Sequence, residues 1–352
     1  MQIQSLSVVY DENITAVDGL DLDIPPGEFV TLLGPSGSGK TSILMALAGF
    51  VRPSSGHVFV DSRDLLALPP NERNLGLVVQ SYALFPHMTV EQNIAFPLRM
   101  RNWKQTDIDQ AVRQAVRMVQ LGGYEKRKPG QLSGGEQQRV ALARATIFDP
   151  PVMLMDEPLG ALDRQLRDQL QSELKAIQQR TGITTLYVTH DQDEAMALSD
   201  RIAIMRDGSI EQIASPQELY ERPRNTFVAG FLGESNVLQG TIHLTGNRVE
   251  LETDAGWRLP LADASGAGDR HRVHAQIRPE RILVEEDPMD VHTTAEVIDK
   301  SFAGEMIRLT VRVPSGEQLA IKRQNSGRTS DFQPGRQVTI GWALQDMTVL
   351  RD

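Results

Sequence analysis

Apolar positions along roughly the first 235 residues follow two alternating patterns. Short runs of mostly apolar or β-branched residues have the length and composition of buried strands: Phe29–Leu33, Leu75–Val79, Val152–Met155, Thr184–Thr189 and Ile202–Met205. Between these runs, apolar residues recur every three or four positions, which is typical of helices with one buried face. The alternation of buried strands with amphipathic helices predicts an α/β domain built around a largely parallel sheet.

Two of the predicted helices have recognisable ends. Thr106 and Asp109 have the spacing of a capping box, with Asp in place of the usual Glu or Gln, ahead of a stripe of apolar positions. A second helix is predicted from about Asp163 to Arg180, and Gly182 follows it as a helix-ending residue. Both ends support the assignment of these segments as helices.

The pattern changes after about Ser235. Helical periodicity disappears, and short alternating segments follow: Val249–Leu251, Val273–Ile277, Ile307–Val313 and Gln337–Gly341. Turn-forming tripeptides accompany them: Thr245–Gly246–Asn247, Pro314–Ser315–Gly316 and Gln333–Pro334–Gly335. The sequence therefore predicts an all-β domain at residues 236–352, a barrel or a sandwich, after the α/β domain at residues 1–235.

Composition narrows the classes of function. The chain carries 36 Lys and Arg against 46 Asp and Glu, a formal net charge of −10, and it has no cysteine. A DNA-binding protein needs a basic surface, and a disulfide-stapled secreted domain needs cysteines. No apolar run reaches the roughly 20 residues of a membrane-spanning helix, and no basic start precedes an apolar signal segment. We therefore expect an acidic cytoplasmic protein that does not bind nucleic acid.

A glycine-rich loop follows the first of the buried strands. Residues 34–41 match the spacing G-x-x-x-x-G-K-[ST] between a strand and a helix that begins near Ser42. Glycines let main-chain N–H groups point inward at an anion, and the helix N-terminus adds partial positive charge. We expect Lys40 to contact the β- and γ-phosphates of a nucleotide and Thr41 to bind Mg²⁺; alone, the loop equally fits a GTPase, a kinase or a helicase. Its residues are Gly34, Pro35, Ser36, Gly37, Ser38, Gly39, Lys40, Thr41 and, at the helix start, Ser42.

Two adjacent carboxylates end another predicted strand. Asp156 and Glu157 follow Val152–Met155 directly, and α/β sheets bind their ligands at the carboxyl ends of strands. We expect Asp156 to hold Mg²⁺ through water and Glu157 to act as the general base on the attacking water. The alternative is a strand that simply ends in solvated acids, and the phosphate loop makes that interpretation the weaker one.

The segment Leu132–Arg139 reads Leu-Ser-Gly-Gly-Glu-Gln-Gln-Arg and resembles the LSGGQ signature of the ABC ATPases, with Glu136 where Gln is commoner. Its serine and glycines precede a predicted helix, so the segment forms a second anion-accepting helix N-terminus. The resemblance implies that this segment faces the γ-phosphate of ATP bound to a second copy of the chain. The residues concerned are Ser133, Gly134, Gly135 and Glu136.

The other motifs of this family follow in order along the chain. Gln80 resembles the glutamine that contacts Mg²⁺ and the lytic water, and His190 resembles the histidine that binds the γ-phosphate and orients that water. Leu159–Asp163 resembles the D-loop, which adds Asp163 to the nucleotide-binding residues. Tyr10 lies where the family has an aromatic residue that stacks on adenine. A structural histidine and an ordinary strand-end tyrosine are the alternatives for His190 and Tyr10.

The resemblance covers the whole chain. It implies a P-loop ATPase domain, with a helical subdomain at about residues 88–150, followed by the OB-like regulatory β domain called TOBE. Phe231–Asn236 and Ile277–Glu280 resemble the segments that enter and cross this domain in the uptake ATPases for maltose, sulfate, iron and polyamines. The spermidine/putrescine branch is the most similar, and iron(III), phosphonate, thiamine, sulfate and sugars are the alternative solutes.

Partners and a location are also implied by the resemblance. One phosphate loop and one signature per chain imply a homodimer that sandwiches ATP, with Mg²⁺, between the two copies. Two integral-membrane permease subunits would dock near Gln80–His87, for which a small local core is the alternative, and a periplasmic or extracellular solute-binding protein would act indirectly. The chain would then be a peripheral ATPase subunit on the cytoplasmic face of the inner (plasma) membrane.

Three other functions compete with an importer subunit. An exporter-type ATPase is disfavoured by the additional β domain. A soluble ABC protein that acts on ribosomes or DNA usually has two nucleotide domains or a long coiled-coil insertion, and the sequence contains neither. A regulatory module, in which the β domain senses a ligand or partner and inhibits the ATPase, is compatible with the importer interpretation.

Overall fold

The computed structural model describes residues 1–10, 14–160, 164–246, 248–264, 266–286, 289–325 and 332–351. The chain divides into two compact units, Met1–Pro216 and Gln217–Asp352. Within the described ranges, no helix combines the length and the apolar character needed to cross a membrane.

The first unit alternates strands and helices, as the hydrophobic pattern predicts. In chain order its elements are β1 (Gln2–Tyr10), β2 (Ile14–Asp23), β3 (Phe29–Leu33), α1 (Lys40–Ala48), β4 (Ser55–Val60), β5 (Arg63–Asp64), β6 (Gly76–Val78), α2 (Val90–Met100), α3 (Gln105–Met118), α4 (Gly134–Thr146), β7 (Val152–Asp156), α5 (Arg164–Thr181), β8 (Thr184–Thr189), α6 (Gln192–Leu198), β9 (Arg201–Arg206) and β10 (Ser209–Ala214).

A six-stranded sheet forms the centre of this unit. Its order is β10-β9-β3-β8-β7-β6, and all neighbouring strands are parallel except β10 against β9. Every residue of β3, β7 and β8 is buried, because both faces of the sheet are covered. The predicted parallel sheet and its buried strands are therefore confirmed.

A second sheet, of order β2-β1-β4-β5, is antiparallel. Its buried side chains, among them Leu6 and Val17, share a core with Ile43 and Leu47 of α1. No sequence prediction covered this sheet. Register shifts along β1, between Ile3 and Leu6 and again further along, interrupt the period of two by which a half-buried strand is detected.

Helices α2, α3 and α4 lie between β6 and β7, inside the region predicted to be a helical subdomain. Ile94, Val112 and Ala141, one from each helix, belong to the same buried cluster. The capping box predicted at Thr106 is wrong: α3 begins at Gln105 after Lys104 and has no side-chain cap. Thr106 lies inside the first turn, whereas a capping residue has to precede it with non-helical backbone.

The predicted helix from Asp163 to Arg180 corresponds to α5, which ends at Thr181. Its buried residues include Leu170, Leu174 and Ile177, and Leu166 is partly buried against the same cluster. Asp163 lies outside the described residues. The apolar stripe of this helix was therefore identified correctly from its spacing.

Two short helices, α7 (Pro216–Glu221) and α8 (Thr226–Phe231), precede the strands of the second unit. These strands are β11 (Asn236–Thr245), β12 (Arg248–Thr253), β13 (Arg258–Leu261), β14 (Arg272–Ile277), β15 (Leu283–Val284), β16 (Val291–Ala303), β17 (Met306–Arg312), β18 (Gln318–Gln324), β19 (Gln337–Trp342) and β20 (Met347–Leu350).

The strands of the second unit form two five-stranded antiparallel sheets around one core. Their orders are β13-β12-β11-β14-β20 and β15-β19-β16-β17-β18. Trp342 is 1% exposed, and Ile242 and Leu309 from different sheets are fully buried in the same cluster. Gly316 and Gly335 adopt left-handed φ angles of +102° and +88° at two of the predicted turns. The predicted all-β domain is confirmed; Asn247, in a third predicted turn, lies outside the described residues.

The division between the compact units differs from the predicted boundary at residue 235. Arg278, at the end of β14, donates to the carbonyl oxygens of Tyr220 (3.1 Å) and Ala229 (2.9 Å), so the two short helices belong with the β strands. Their local pattern is helical, and pattern alone assigned them to the α/β domain. The second unit therefore begins near residue 217 and not at 236.

Candidate nucleotide-binding site

The glycine-rich loop runs from the end of β3 to the start of α1. Gly39, the residue before α1, has a left-handed φ of +96°. A Cβ atom added there would collide with the carbonyl oxygen of Ala16, and one added at Gly34 would collide with that of Met205. The close backbone approach and the left-handed angle both require glycine. The loop is therefore built from its sequence as predicted, with main-chain N–H groups at a helix N-terminus.

Lys40 lies across this loop. Its Nζ donates to the carbonyl oxygens of Gly34 and Pro35, both at 2.8 Å, and to Ser38 Oγ at 3.3 Å. Burial lowers the pKa of the ammonium, and the nearby charges of Glu157 and Asp156 act to raise it. The positive charge therefore lies at the centre of the loop, and all of its hydrogen-bond acceptors belong to the loop itself.

Thr41 and Asp156 bring two hard oxygen atoms together. Thr41 Oγ1 donates to Asp156 Oδ1 at 3.3 Å, across the gap between α1 and the end of β7. Burial raises the pKa of Asp156, and the charge of Glu157 adds to that rise, while Thr41 and Lys40 oppose it. A hydroxyl beside a carboxylate is a donor set that suits Mg²⁺, which takes oxygen ligands and completes its shell with water and phosphate.

Glu157 is the point at which three neighbouring strands converge. Its Oε1 lies 2.9 Å from His190 Nδ1, after β8, and its Oε2 accepts a 3.4 Å hydrogen bond from Gln80 Nε2, after β6. Since β8, β7 and β6 are adjacent and parallel, their carboxyl ends bring the three side chains to one edge of the sheet. The structure therefore unites the three predicted catalytic residues.

The backbone of Glu157 is held in an uncommon conformation. Its φ is +43°, in the left-handed region that residues other than glycine seldom adopt. Its N–H donates to the carbonyl oxygen of Val188 at 2.9 Å, and its own carbonyl oxygen accepts from the N–H of Gly160 at 3.2 Å. These bonds fix the strained residue, and strain of this kind concentrates at functional sites.

Tyr10 also belongs to this region of the first unit. Its hydroxyl donates to Ser42 Oγ at 3.4 Å, and the side chain remains 37% exposed at the end of β1. The ring thus lies beside the first turn of α1, next to the phosphate loop. This position fits the adenine-stacking role that the resemblance implies.

The signature segment is a capped helix N-terminus. Ser133 Oγ accepts from the N–H of Glu136 at 3.3 Å, while the Glu136 carboxylate accepts from the N–H of Ser133 at 2.7 Å. This last bond is the main reason that the pKa of Glu136 is lowered. Gly135 packs against Leu166, whereas Ser133 and Gly134 are exposed. Among the described residues, no hydrogen bond joins this segment to the phosphate loop of the same chain.

The loop predicted to meet a permease is partly a local core. Tyr82 is 6% exposed and belongs to the buried cluster of the helical region. Ser81, Ala83, Pro86 and His87 are exposed. Tyr82 therefore fits the local-core alternative, and contact of the exposed residues with a permease stays a prediction.

Two polar residues that sequence reasoning missed, one half-buried and one fully buried, hold this loop. Arg144 donates to the carbonyl oxygens of Tyr82 and Ala83, both at 2.8 Å. Asn93, fully buried, accepts from the N–H of Phe85 at 2.9 Å and donates back to its carbonyl oxygen at 3.2 Å. An asparagine inside an otherwise apolar helix face was the one available signal, because buried polar side chains are normally paired.

The fold and these contacts define a nucleoside triphosphatase of the P-loop class. Comparison with known proteins refines that class. The family described as ABC transporter matches residues 17–160, and the family described as TOBE domain matches residues 275–350. The spermidine/putrescine import ATP-binding protein PotA of Rubrobacter xylanophilus is 45% identical over 341 residues, which are 96% of this chain and 90% of that protein. The protein of the same name from Oleidesulfovibrio alaskensis is 41% identical over 100% of this chain and 97% of its own length.

Solved structures agree with these relatives. The bacterial ABC transporter cassette MJ0796, in a dimeric post-hydrolysis state bound to ADP and Pi, is 31% identical, covers 61% of this chain and 98% of its own, and has a TM-score of 0.55. The protein cbiO1 of Clostridium perfringens, part of an ABC transporter complex, is 25% identical, covers 62% of this chain and 89% of its own, and has a TM-score of 0.57. The chain therefore belongs to the ATP-binding proteins of the ABC transporter family, and it is an ATPase with a C-terminal TOBE domain.

Proposed function

We propose that the chain is the ATP-hydrolysing, energy-coupling subunit of an importer for polyamines such as spermidine and putrescine. The observation that carries the ATPase part is the convergence of Gln80 and His190 on Glu157, beside a loop whose centre is the Lys40 ammonium. The relatives named for polyamine import match both units of the chain and nearly all of its length, which supports the importer part.

Each residue of the site has a role that its position suits. Lys40 exchanges its loop carbonyls for phosphate oxygens when ATP enters, and the glycine-rich loop supplies main-chain N–H donors. Thr41 and Asp156, with Gln80, would hold Mg²⁺, which neutralises the charge that develops on the phosphates. Tyr10 stacks on the adenine.

Glu157 is assigned the lytic water. Its carboxylate is held by His190 on one oxygen and by Gln80 on the other, so it is oriented at the open edge of the sheet. From there it can accept a proton from water that attacks the γ-phosphate, which is general-base catalysis. His190, whose side chain is 60% exposed, is positioned to bind the γ-phosphate and to orient the same water.

Two copies of the chain complete the site. The exposed Ser133 and Gly134 form no bond to their own phosphate loop, and they present a helix N-terminus that suits an anion. In a homodimer this segment covers the γ-phosphate bound to the other copy. Closure of the dimer on ATP and opening after hydrolysis supply the motion, because a ligand shifts an equilibrium only through its preference for one state.

The motion has to reach membrane proteins, for which the segment Gln80–His87 is the proposed contact. Its exposed residues include Ala83 and Pro86, and they are held on a rigid base by Arg144 and Asn93. Two permease subunits docked here place the chain on the cytoplasmic face of the inner membrane, and a solute-binding protein acts through those subunits.

Uptake by whole cells tests the proposal. A strain without the gene is complemented with the wild-type chain or with Glu157→Gln, and the import of radiolabelled spermidine and putrescine is measured. We expect uptake with the wild type only. Uptake of iron(III), thiamine, phosphonate, sulfate and maltose is measured in parallel. If the strain without the gene fails to take up only one of these, that solute replaces polyamines in the proposal. Normal uptake of every solute without the gene, together with recovery of the chain on ribosomes, would contradict the importer role.

A further inference from the structure

A buried carboxylate outside the nucleotide site lies beneath the segment that carries His190. Glu194, on α6, is 1% exposed. Its Oε2 accepts two hydrogen bonds of 2.8 Å, one from the hydroxyl of Tyr187 and one from that of Thr189. Burying a carboxylate costs free energy unless hydrogen bonds or an opposite charge compensate for it, so we asked what these two hydrogen bonds hold in place.

The hydroxyl of Thr189 links Glu194 to both sides of His190. It donates to Glu194 Oε2, and it accepts from the N–H of Asp191 at 3.0 Å. Thr189 and Asp191 are the two neighbours of His190 in the chain. One hydroxyl therefore fixes the backbone on either side of the histidine, and Glu194 fixes that hydroxyl.

Asp191 closes the arrangement from the other end. Its Oδ1 caps α6 by accepting from the N–H groups of Asp193 and Glu194, at 2.9 and 3.1 Å. Its Oδ2 accepts from Arg167 Nη1, on α5, at 2.7 Å, and Arg167 Nε lies 3.7 Å from Glu194 Oε1. Thr189, Asp191 and Glu194 thus form one hydrogen-bonded group around the backbone of His190.

His190 needs such support. Its side chain is 60% exposed, and its Nδ1 forms a 2.9 Å hydrogen bond with Glu157 Oε1. An exposed imidazole on an unsupported backbone would sample several rotamers, and displacement of a reacting group by about 1 Å can cost roughly 10²-fold in rate. We propose that Glu194, acting through the hydroxyl of Thr189, is a positioning residue that holds His190 against Glu157. The inference rests on the role proposed for His190.

Two hydroxyls that donate to the same oxygen of Glu194 provide a matched test. Thr189→Val and Tyr187→Phe each remove one of these donors, but only Thr189 also holds the N–H of Asp191. For the purified full-length chain, we measure kcat and KM for MgATP together with the thermal midpoint of unfolding. We expect Thr189→Val to lower kcat by about 10–10²-fold at an unchanged KM. Tyr187→Phe should lower the thermal midpoint to a similar extent and keep kcat within about threefold of the wild type.

Conservative replacements separate position from stability. Thr189→Ser keeps the hydroxyl and should restore kcat. Glu194→Gln keeps an acceptor oxygen and should stay within about fivefold of the wild-type kcat, whereas Glu194→Ala should match Thr189→Val. The double variant Glu194→Ala/Thr189→Val should lose no more than either single variant, because both remove the same bond.

The possible outcomes have distinct meanings. Equal loss of kcat in Thr189→Val and Tyr187→Phe, in proportion to their loss of stability, would overturn the inference and leave Glu194 a structural residue. An unchanged kcat in Thr189→Val, with His190→Ala inactive, would also overturn it while leaving the role of His190 intact. Full activity of His190→Ala would instead contradict the proposed catalytic site.

Discussion

Each of the two units buries a cation against main-chain carbonyl oxygens. Lys40 in the first unit is 6% exposed, and Arg278 in the second is 3% exposed. Burial lowers the pKa of both groups. The two sites differ in where their partners lie along the chain. The carbonyl acceptors of Lys40 are five and six residues away, whereas those of Arg278 are 44 to 58 residues away.

That difference distinguishes a cation that is available to bind a ligand, Lys40, from one that holds the fold together, Arg278. The hydrogen bonds of Lys40 all stay within its own loop, so in the proposed role its ammonium can exchange loop carbonyls for phosphate without disturbing the fold. Arg278 joins Tyr220, Ala229, Gly233 and Glu234 through one planar guanidinium, which also lies 4.1 Å from the ring centre of Tyr220. A buried cation is therefore informative about function only when the sequence separation of its partners is considered.

The largest expected effect is on turnover and comes from the first unit. Glu157→Gln removes the proposed general base, and we expect kcat to fall by about 10²–10⁴-fold with ATP binding retained. The free energy of unfolding should not change, because the side chain stands at the edge of the sheet. Glu72→Gln, the same change at an exposed acid outside the site, is the control for the steady-state ATPase assay. Near-wild-type turnover of Glu157→Gln would remove Glu157 from this role.

The next effect is on stability and comes from the second unit. Arg278→Met leaves several carbonyl oxygens without a donor, and we expect the free energy of unfolding of this unit to fall by about 2–4 kcal/mol. Trp257 and Trp342 report on this unit once Trp103 is replaced by Phe, so urea titration followed by tryptophan fluorescence measures the change. ATP affinity should stay as in the wild type. A stable Arg278→Met variant would show that the guanidinium does not fasten α7 and α8.

The smallest effect is on ligand affinity. Lys40→Met, the matched change at the other buried cation, removes a charged donor to phosphate, and ATP affinity should weaken by roughly 10–10²-fold in calorimetry. Stability should fall less than in Arg278→Met, because the carbonyl acceptors of Lys40 lie in its own loop and tie no distant segment to it. Unchanged ATP affinity, or a loss of stability like that of Arg278→Met, would erase the distinction between the two cations.

The sequence was most informative where burial is complete. Phe29–Leu33 and Thr184–Thr189 were predicted with the same bounds that the structure shows, because strands covered on both faces consist of apolar, aromatic or β-branched residues without alternation. The antiparallel sheet of β1 and β2 escaped prediction because bulges break the alternation of β1. The start of α3 and the boundary near residue 217 were missed because caps and domain membership depend on contacts, which local patterns do not contain.

The sequence predicted those site residues that occur in motifs of fixed spacing at the ends of strands. The phosphate loop follows β3, Asp156 ends β7 and Glu157 follows it, so parallel pairing of the strands brings them together. Asn93, Arg144 and Glu194 were not found, since each acts on backbone or hydroxyl groups whose proximity arises only in the folded chain. Motif spacing identifies the groups proposed to meet the nucleotide, and it does not identify the residues that hold those groups in place.

In the proposed homodimer, two copies of the chain enclose ATP between the phosphate loop of one and the signature segment of the other. Light scattering of Glu157→Gln with saturating MgATP tests it most directly, because this variant should bind ATP without consuming it. We expect a dimer of twice the chain's mass with MgATP and a monomer with ADP. The variant that also carries Ser133→Arg, a bulky change at the signature, should stay monomeric with MgATP. A Glu157→Gln variant that is monomeric with MgATP, or a dimer that forms without ATP and in spite of Ser133→Arg, would contradict this arrangement.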